Sequence, residues 1–153
     1  MDLFFESLSK ITAPGNLITR KQLDELTFKI IGYGLDTHNI LLTGNQTSNL
    51  LTFFTYKLQE QGLSYDVKPQ NETFSSESKK PSNIYHSLIV ENLIFVELIL
   101  VDDVSEAMKL KLKQTIEEYV CMRGILLNFN SRNLYRDGVI IVDSVKLDGL
   151  PIL

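Results

Sequence analysis

Cysteine occurs once in this 153-residue chain, tryptophan is absent, and there are only two histidines and four prolines. A lone cysteine, Cys121, closes no internal disulfide and builds no cysteine-rich zinc site, which leaves packing as its expected role. No apolar run approaches the roughly 18 residues that a membrane crossing requires. At the N-terminus only Leu3, Phe4 and Phe5 stand between the acids Asp2 and Glu6. A signal peptide needs a basic start and a longer apolar stretch, so the expected location is the cytoplasm, with no membrane partner. Excess positive charge is lacking too. The 15 Lys and Arg against 19 Asp and Glu leave a formal charge of −4, so any nucleic-acid binding has to come from a local basic patch.

What is present is ordinary globular usage, 44% hydrophobic and 22% charged, in a length suited to one core rather than a multidomain machine. Residues 1–20 carry Pro14 and Gly15 with no sustained periodicity beyond a possible short helix at 3–8, and read as an arm before a single domain at 21–153. Leu23, Leu26, Ile30, Ile31 and Leu35 recur at helical spacing, giving a helix over about 21–38 with one buried stripe. Gly32 and Gly34 each cost that helix roughly 1 kcal/mol against Ala, which suggests close approach by another element. Residues 43–48 are turn-like, and Thr47 or Ser48 can cap a second helix with Leu50, Leu51, Phe54 and Leu58 on one face. Gly62 followed by Leu63 looks like a left-handed helix stop whose next residue packs back.

A short strand at 65–68 precedes a polar stretch, 69–82, expected to be an exposed loop and the best internal site for proteolysis. The β-rich runs 84–90 and 93–101, joined at Glu91-Asn92, read as an antiparallel hairpin. The second run is almost wholly apolar, as a central strand covered on both faces would be, with Glu97 its one internal charge. Asp103 with Glu106 suggests a capping box for a third helix whose buried face is Met108, Leu112, Ile116, Tyr119 and Val120. Strands at 124–129 and 139–142, linked by a polar connection at 131–138, complete the order ααβββαββ. The fold class this implies is α/β, a mixed central sheet with helices packed against it.

That order and several local strings resemble the GxxExxY-type family, a small bacterial and archaeal branch of the PD-(D/E)xK, restriction-endonuclease-like superfamily. The likeness spans roughly residues 26–142. It is carried by Ile30-Ile31-Gly32 and Thr37-His38 on the first helix, by Ser87-Leu88-Ile89-Val90-Glu91 and Val96-Glu97-Leu98 on the hairpin, and by Gly124-Ile125-Leu126-Leu127-Asn128-Phe129. In active members an Asp and a Glu on adjacent strands hold Mg²⁺, and a Lys two residues after the Glu positions or activates the attacking water. The chemistry explains the need. Mg²⁺ binds hard anionic oxygen, and phosphodiester cleavage needs charge neutralised beside an activated water. Here Ser87 matches the Asp, Glu97 is retained, and Ile99 matches the Lys. Of the name motif Gly44 remains, Thr47 replaces the Glu and Leu50 the Tyr, while Lys111 stands at the third-helix Gln.

The resemblance therefore implies the nuclease fold without its catalytic set. The resulting expectation is a catalytically inactive binding or assembly module with no cofactor, partnered by a protein or by itself rather than by nucleic acid. An alternative is a divergent metal-dependent nuclease using Glu97 and a migrated Lys111 with Mg²⁺ or Mn²⁺; another is a nucleic-acid binder that does not cut. Glu91, Asp102 and Asp103 lie away from Glu97 along the chain. A two-residue hairpin turn would set His86 opposite Glu97 and a three-residue turn Ser87; two ligands alone make a poor metal site.

Glu97 is expected to be a charge at a solvated strand end or paired with a nearby lysine, and His38 and His86 to be structural. Lys109, Lys111 and Lys113, with Arg123, Arg132 and Arg136, could form a basic patch. A solvated helix face offset by Glu117 and Glu118 is the commoner outcome. Phe53, Phe54, Phe95 and Phe129 are expected in the core, with Tyr135 the exception.

Overall fold

The apolar stripe at 23–31 and the turn chemistry ahead of it do build a helix. In the computed structural model, which describes residues 18–42, 44, 49–69 and 84–149, helix α1 (Arg20–Leu42) buries Leu23, Leu26, Ile30 and Ile31. Its start is closed by a reciprocal cap: the Gln22 amide donates to Thr19 Oγ1 at 3.2 Å and the Thr19 amide to Gln22 Oε1 at 3.0 Å. Ile18, assigned by the sequence reading to the arm, is buried in the core; residues 1–17 lie outside the described residues. Gly34 has the packing reason expected of it, since a Cβ there would stand 2.9 Å from Leu127 Cδ1. Gly32 has not: nothing lies within 4 Å of its Cβ position.

Helix α2 (Leu50–Glu60) buries Leu50, Phe54 and Leu58. Its N-cap is Asn49, which makes no side-chain capping bond; Thr47 and Ser48 lie outside the described residues. The stop at Gly62 (φ +73°) is as expected, with the Leu63 amide donating to the Leu58 carbonyl at 3.0 Å and Leu63 buried.

The strands are β1 (Tyr65–Lys68), β2 (Ile84–Val90), β3 (Ile94–Leu100), β4 (Arg123–Asn128) and β5 (Val139–Asp143), with α3 (Glu106–Glu118) between β3 and β4 and a one-turn helix α4 (Leu134–Asp137) before β5. A 3₁₀ turn, Val145–Gly149, follows. The element order is the one expected, with α4 and the 3₁₀ turn added. The five strands form one sheet in the order β1-β2-β3-β4-β5; β3 and β4 are parallel and every other pair is antiparallel. A parallel pair needs a long crossover, and α3 is it. Residues 70–83, where most of the expected loop falls, lie outside the described residues.

Because side chains alternate along a strand, β3 serves two cores. Ile94, Val96 and Leu98 join Leu88, Val90, Ile125 and Leu127 beneath α1 and α2. Phe95 and Ile99 join Tyr85, Ile89 and Leu126 beneath Met108, Leu112 and Ile116 of α3. Both faces of the central strand are covered, as its apolar run implies. Cys121 packs in the second core, and burial pushes its thiol up to about 11.

Two local expectations need correction. The cap of α3 is Ser105, whose Oγ accepts the Met108 amide at 3.2 Å, not Asp103; it is Ser105 that places a hydroxyl within reach of the third helical amide. Tyr119 and Val120 are exposed rather than buried, because the helix has already ended. Val120 takes a left-handed φ of +59°, and the Cys121 amide returns to the Ile116 carbonyl at 2.9 Å. This is the stop seen at Gly62, made with a β-branched residue in a region that costs roughly 1–2 kcal/mol. Val120→Gly is therefore expected to stabilise the fold by about 0.5–1 kcal/mol after the extra flexibility of glycine in the unfolded chain is set against it, read as a higher urea midpoint. A lower midpoint would contradict the assigned strain.

Candidate functional site

The hairpin turn decides what meets what. Glu91 and Asn92 both adopt left-handed φ, 54° and 56°, and the Leu93 amide donates to the Val90 carbonyl at 3.0 Å. Val90 pairs with Ile94 across the ladder, so three residues intervene and Ser87 stands opposite Glu97. His86 pairs with Leu98 and, by alternation, points to the other face, so no His86–Glu97 pair exists. The row continues on both sides, Lys68 facing Ser87 from β1 and Leu126 facing Glu97 from β4.

Glu97 is 3% exposed and sits in mid-strand. The expectation of a charge at a solvated strand end, or paired with a lysine, is not met. Its one hydrogen bond among the described residues comes from the Ser87 hydroxyl, which donates to Oε1 at 2.8 Å; Oε2 is buried and has no partner among them. Burial raises the carboxyl from near 4.5 to about 7, with the Ser87 bond opposing the rise.

A cleft of about 210 Å³ opens at this point, lined by Lys68, Pro69, Ser87, Phe95, Glu97, Thr115 and Tyr119. Thr115, in the last turns of α3, and Tyr119, just past its end, wall it on the helix side. Tyr119 stacks on Phe95, ring centroids 5.7 Å apart. Lys68 Nζ lies 2.7 Å from Asp66 Oδ2 and 5.3 Å from the Tyr119 ring centroid. The sequence reading missed Lys68. A lysine closing a short strand before a proline was visible, but the register of β1 on β2, across an intervening stretch of 15 residues, was not.

The other candidates are dispersed. Ile99 is sealed in the second core. Lys111 lies one helical turn before Thr115 but is not among the side chains lining the cleft. Thr47 lies outside the described residues, and Gly44 (φ +98°) follows α1. Glu91 accepts from Ser64 at the hairpin turn. Asp102 and Asp103 line a different cleft, with Lys109, Asn128, Ser131 and Asp137. His38 is structural: its Nε2 donates to the Ser131 carbonyl at 2.7 Å, tying α1 to the loop after β4. His86 is half-buried, and burial lowers its basicity. Among the described residues no three His, Cys, Asp or Glu lie together so as to hold a metal ion.

The supposed basic patch is mostly neutralised. Lys109 pairs with Glu106 at 2.9 Å, Lys113 with Glu117 at 4.0 Å and Arg136 with Asp137 at 3.2 Å. Arg123 does not belong to the surface at all. It is 8% exposed and reaches Asp143 at 2.6 Å, Asp24 at 2.8 Å and Thr27 at 2.9 Å. Lys111 and Arg132 have no acidic partner among the described residues.

A mixed five-stranded sheet with helices on both faces, a parallel central pair and a carboxylate on the strand before the crossover is a restriction-endonuclease-like domain. Residues 24–140 match the family model described as the PD-(D/E)XK nuclease superfamily, and the chain belongs to that superfamily. No curated protein and no solved structure shows a significant match to it. Among the described residues no helix is long and apolar enough to cross a membrane.

The raised carboxyl makes stability depend on pH with a definite sign. Between about 4.5 and 7 the folded chain keeps the Glu97 proton that the unfolded chain releases, so the contribution is complete below 4.5, falls as pH rises, and is gone above 7. The gap of roughly 2.5 pH units corresponds to roughly 3 kcal/mol. Glu97→Gln should remove this slope in urea denaturation measured across the range. It should also be more stable than the parent near pH 8, by roughly 2 kcal/mol once an unpaired amide nitrogen is allowed for. An unchanged slope would show that Glu97 ionises normally.

Proposed function

We propose that this chain is a catalytically silent member of the superfamily, of its GxxExxY branch, that works as a binding or assembly module. The observation that carries the reading is the content of the Glu97 row. Where an Mg²⁺ site needs a second hard anionic oxygen, there is the Ser87 hydroxyl, already committed as donor to Glu97; where it needs a lysine two residues on, there are the buried methyls of Ile99. One carboxylate that holds its proton to about pH 7 is a weak ligand for a hard dication, so these residues do not fit the metal.

The framework around the row is intact. Its hydrophobic layers, crossover and hairpin remain those of the superfamily, and a fold kept after its charges are replaced is suited to recognition. A protein partner, or a second copy, is favoured over nucleic acid by the charge of −4 and by the carboxylates that engage Lys109, Lys113, Arg123 and Arg136. In this reading residues 21–153 make one cytoplasmic domain, whose core reaches back to Ile18, behind an N-terminal arm.

Incubation with supercoiled DNA, single-stranded DNA and RNA in Mg²⁺ or Mn²⁺ should give no metal-dependent cutting. Metal-dependent cutting that disappears in Glu97→Ala would overturn the proposal in favour of a divergent nuclease. Binding of a labelled oligonucleotide that weakens steeply with salt, without cutting, would instead favour the nucleic-acid binder.

A further inference from the structure

The cleft beside Glu97 has the parts of a ligand site that nothing above has used. A carboxylate oxygen buried with no partner costs free energy; Glu97 Oε2 is such an atom among the described residues, and its residue lines a cleft of about 210 Å³, far larger than one water needs. We propose that this cleft binds a small organic cation, a primary ammonium compound with a short apolar tail, whose ammonium donates to Glu97 Oε2 while its tail lies against Phe95 and Tyr119. The inference rests on the reading above, that the cleft no longer holds a divalent metal.

Three observations select that class. First, charge: Asp66 and Lys68 neutralise one another at 2.7 Å, so among the described residues an ionised Glu97 leaves the cleft one negative charge in excess, which a monocation balances. Second, geometry: Ser87 spends its proton on Oε1, leaving Oε2 and the lone pairs of the Ser87 oxygen as acceptors for more than one N–H of an ammonium. Third, the aromatic wall: the Tyr119 ring already carries a cation 5.3 Å from its centroid, the Lys68 ammonium, and Phe95 is stacked behind it. An anionic ligand would meet Glu97, and a wholly apolar one would leave Oε2 orphaned.

Binding should follow Glu97 ionisation. Among the described residues, the titratable groups on the elements packed about this face are Asp66 and Lys68 on β1, Tyr85 on β2, Lys111 and Tyr119 at α3, and Cys121 beyond it. Of these and Glu97, Glu97 is the one whose carboxyl is raised to about 7. A cation therefore gains its partner as pH climbs through neutrality.

The test is thermal unfolding of the full chain titrated with n-butylammonium chloride at constant ionic strength, with n-butanol as the neutral isostere and MgCl₂ as a separate arm. At about pH 8.5 the ammonium should give a saturable rise in Tm, roughly 3 °C at ten times its dissociation constant. The rise should shrink at about pH 5.5, vanish in Glu97→Gln, and be absent with n-butanol. Lys68→Met, which removes the cation over the Tyr119 ring and leaves Asp66 unneutralised, should lower the dissociation constant several-fold. The melting transition of each variant without ligand reports its folding. No saturable rise, or an equal rise in Glu97→Gln, overturns the inference while leaving the silent-nuclease reading standing if MgCl₂ is inert. A rise with MgCl₂ that depends on Glu97 and displaces n-butylammonium overturns both.

Discussion

Side chains on a strand alternate between faces, so moving the β2–β3 pairing by a single residue would exchange everything that surrounds Glu97. The turn at Glu91, Asn92 and Leu93 holds that pairing in place. Two successive left-handed residues reverse the chain, Leu93 adds one more, and the ladder restarts at Val90 and Ile94. With that count a hydroxyl, Ser87, stands across from the acid and can donate to it. With one residue fewer it would be an imidazole that belongs on the opposite face. The apolar residues enforce the same answer, because Leu88, Val90, Ile94, Val96 and Leu98 reach the first core together only in this register.

The two helical layers are unequal, and the cleft lies beside the smaller. On one side α1 and α2 carry a long apolar surface from Leu23 to Leu58, tied to β4 and β5 by Arg123 through Asp24, Thr27 and Asp143. On the other, among the described residues, α3 is the helix that covers the sheet, over Tyr85, Ile89, Phe95, Ile99 and Leu126. The row of Lys68, Ser87 and Glu97 runs out from under it. A buried acid there is neither fully solvated nor paired, which is why its proton is held to about pH 7. The same position supplies a strong metal ligand when a second acid stands beside it; with a serine there, it becomes a hydrogen-bonding group of intermediate acidity at the base of a polar and aromatic cleft.

Much of the architecture was legible because it is written in local patterns. Helical spacing marked α1, α2 and α3, the Gly62-Leu63 pair marked a stop, and the alternating and continuous apolar runs marked β2, β3 and β4. Errors fell where a local signal had two readings. Ser105 and Asp103 are both capping residues, and only the path of the chain after β3 selects Ser105. Tyr119 and Val120 continue the helical stripe by spacing, yet the helix ends at Glu118 and Val120 turns left-handed, so neither side chain is buried in the core. Arg123 looks like a surface charge in the sequence and is instead a buried tie between two elements far apart in the chain.

Composition and periodicity determined the elements and their order, since these depend on residue types and on neighbours a few positions away, and the family resemblance added that Ser87 stands where a second acid would. Tertiary structure alone decided that Glu97 is buried, that Lys68 and Tyr119 share its cleft, and that Lys111 does not line it. The reason is distance along the chain. Strand β1, the end of α3 and the middle of β3 meet through packing and ladder register between segments tens of residues apart, and no local pattern encodes where such segments come to rest against one another.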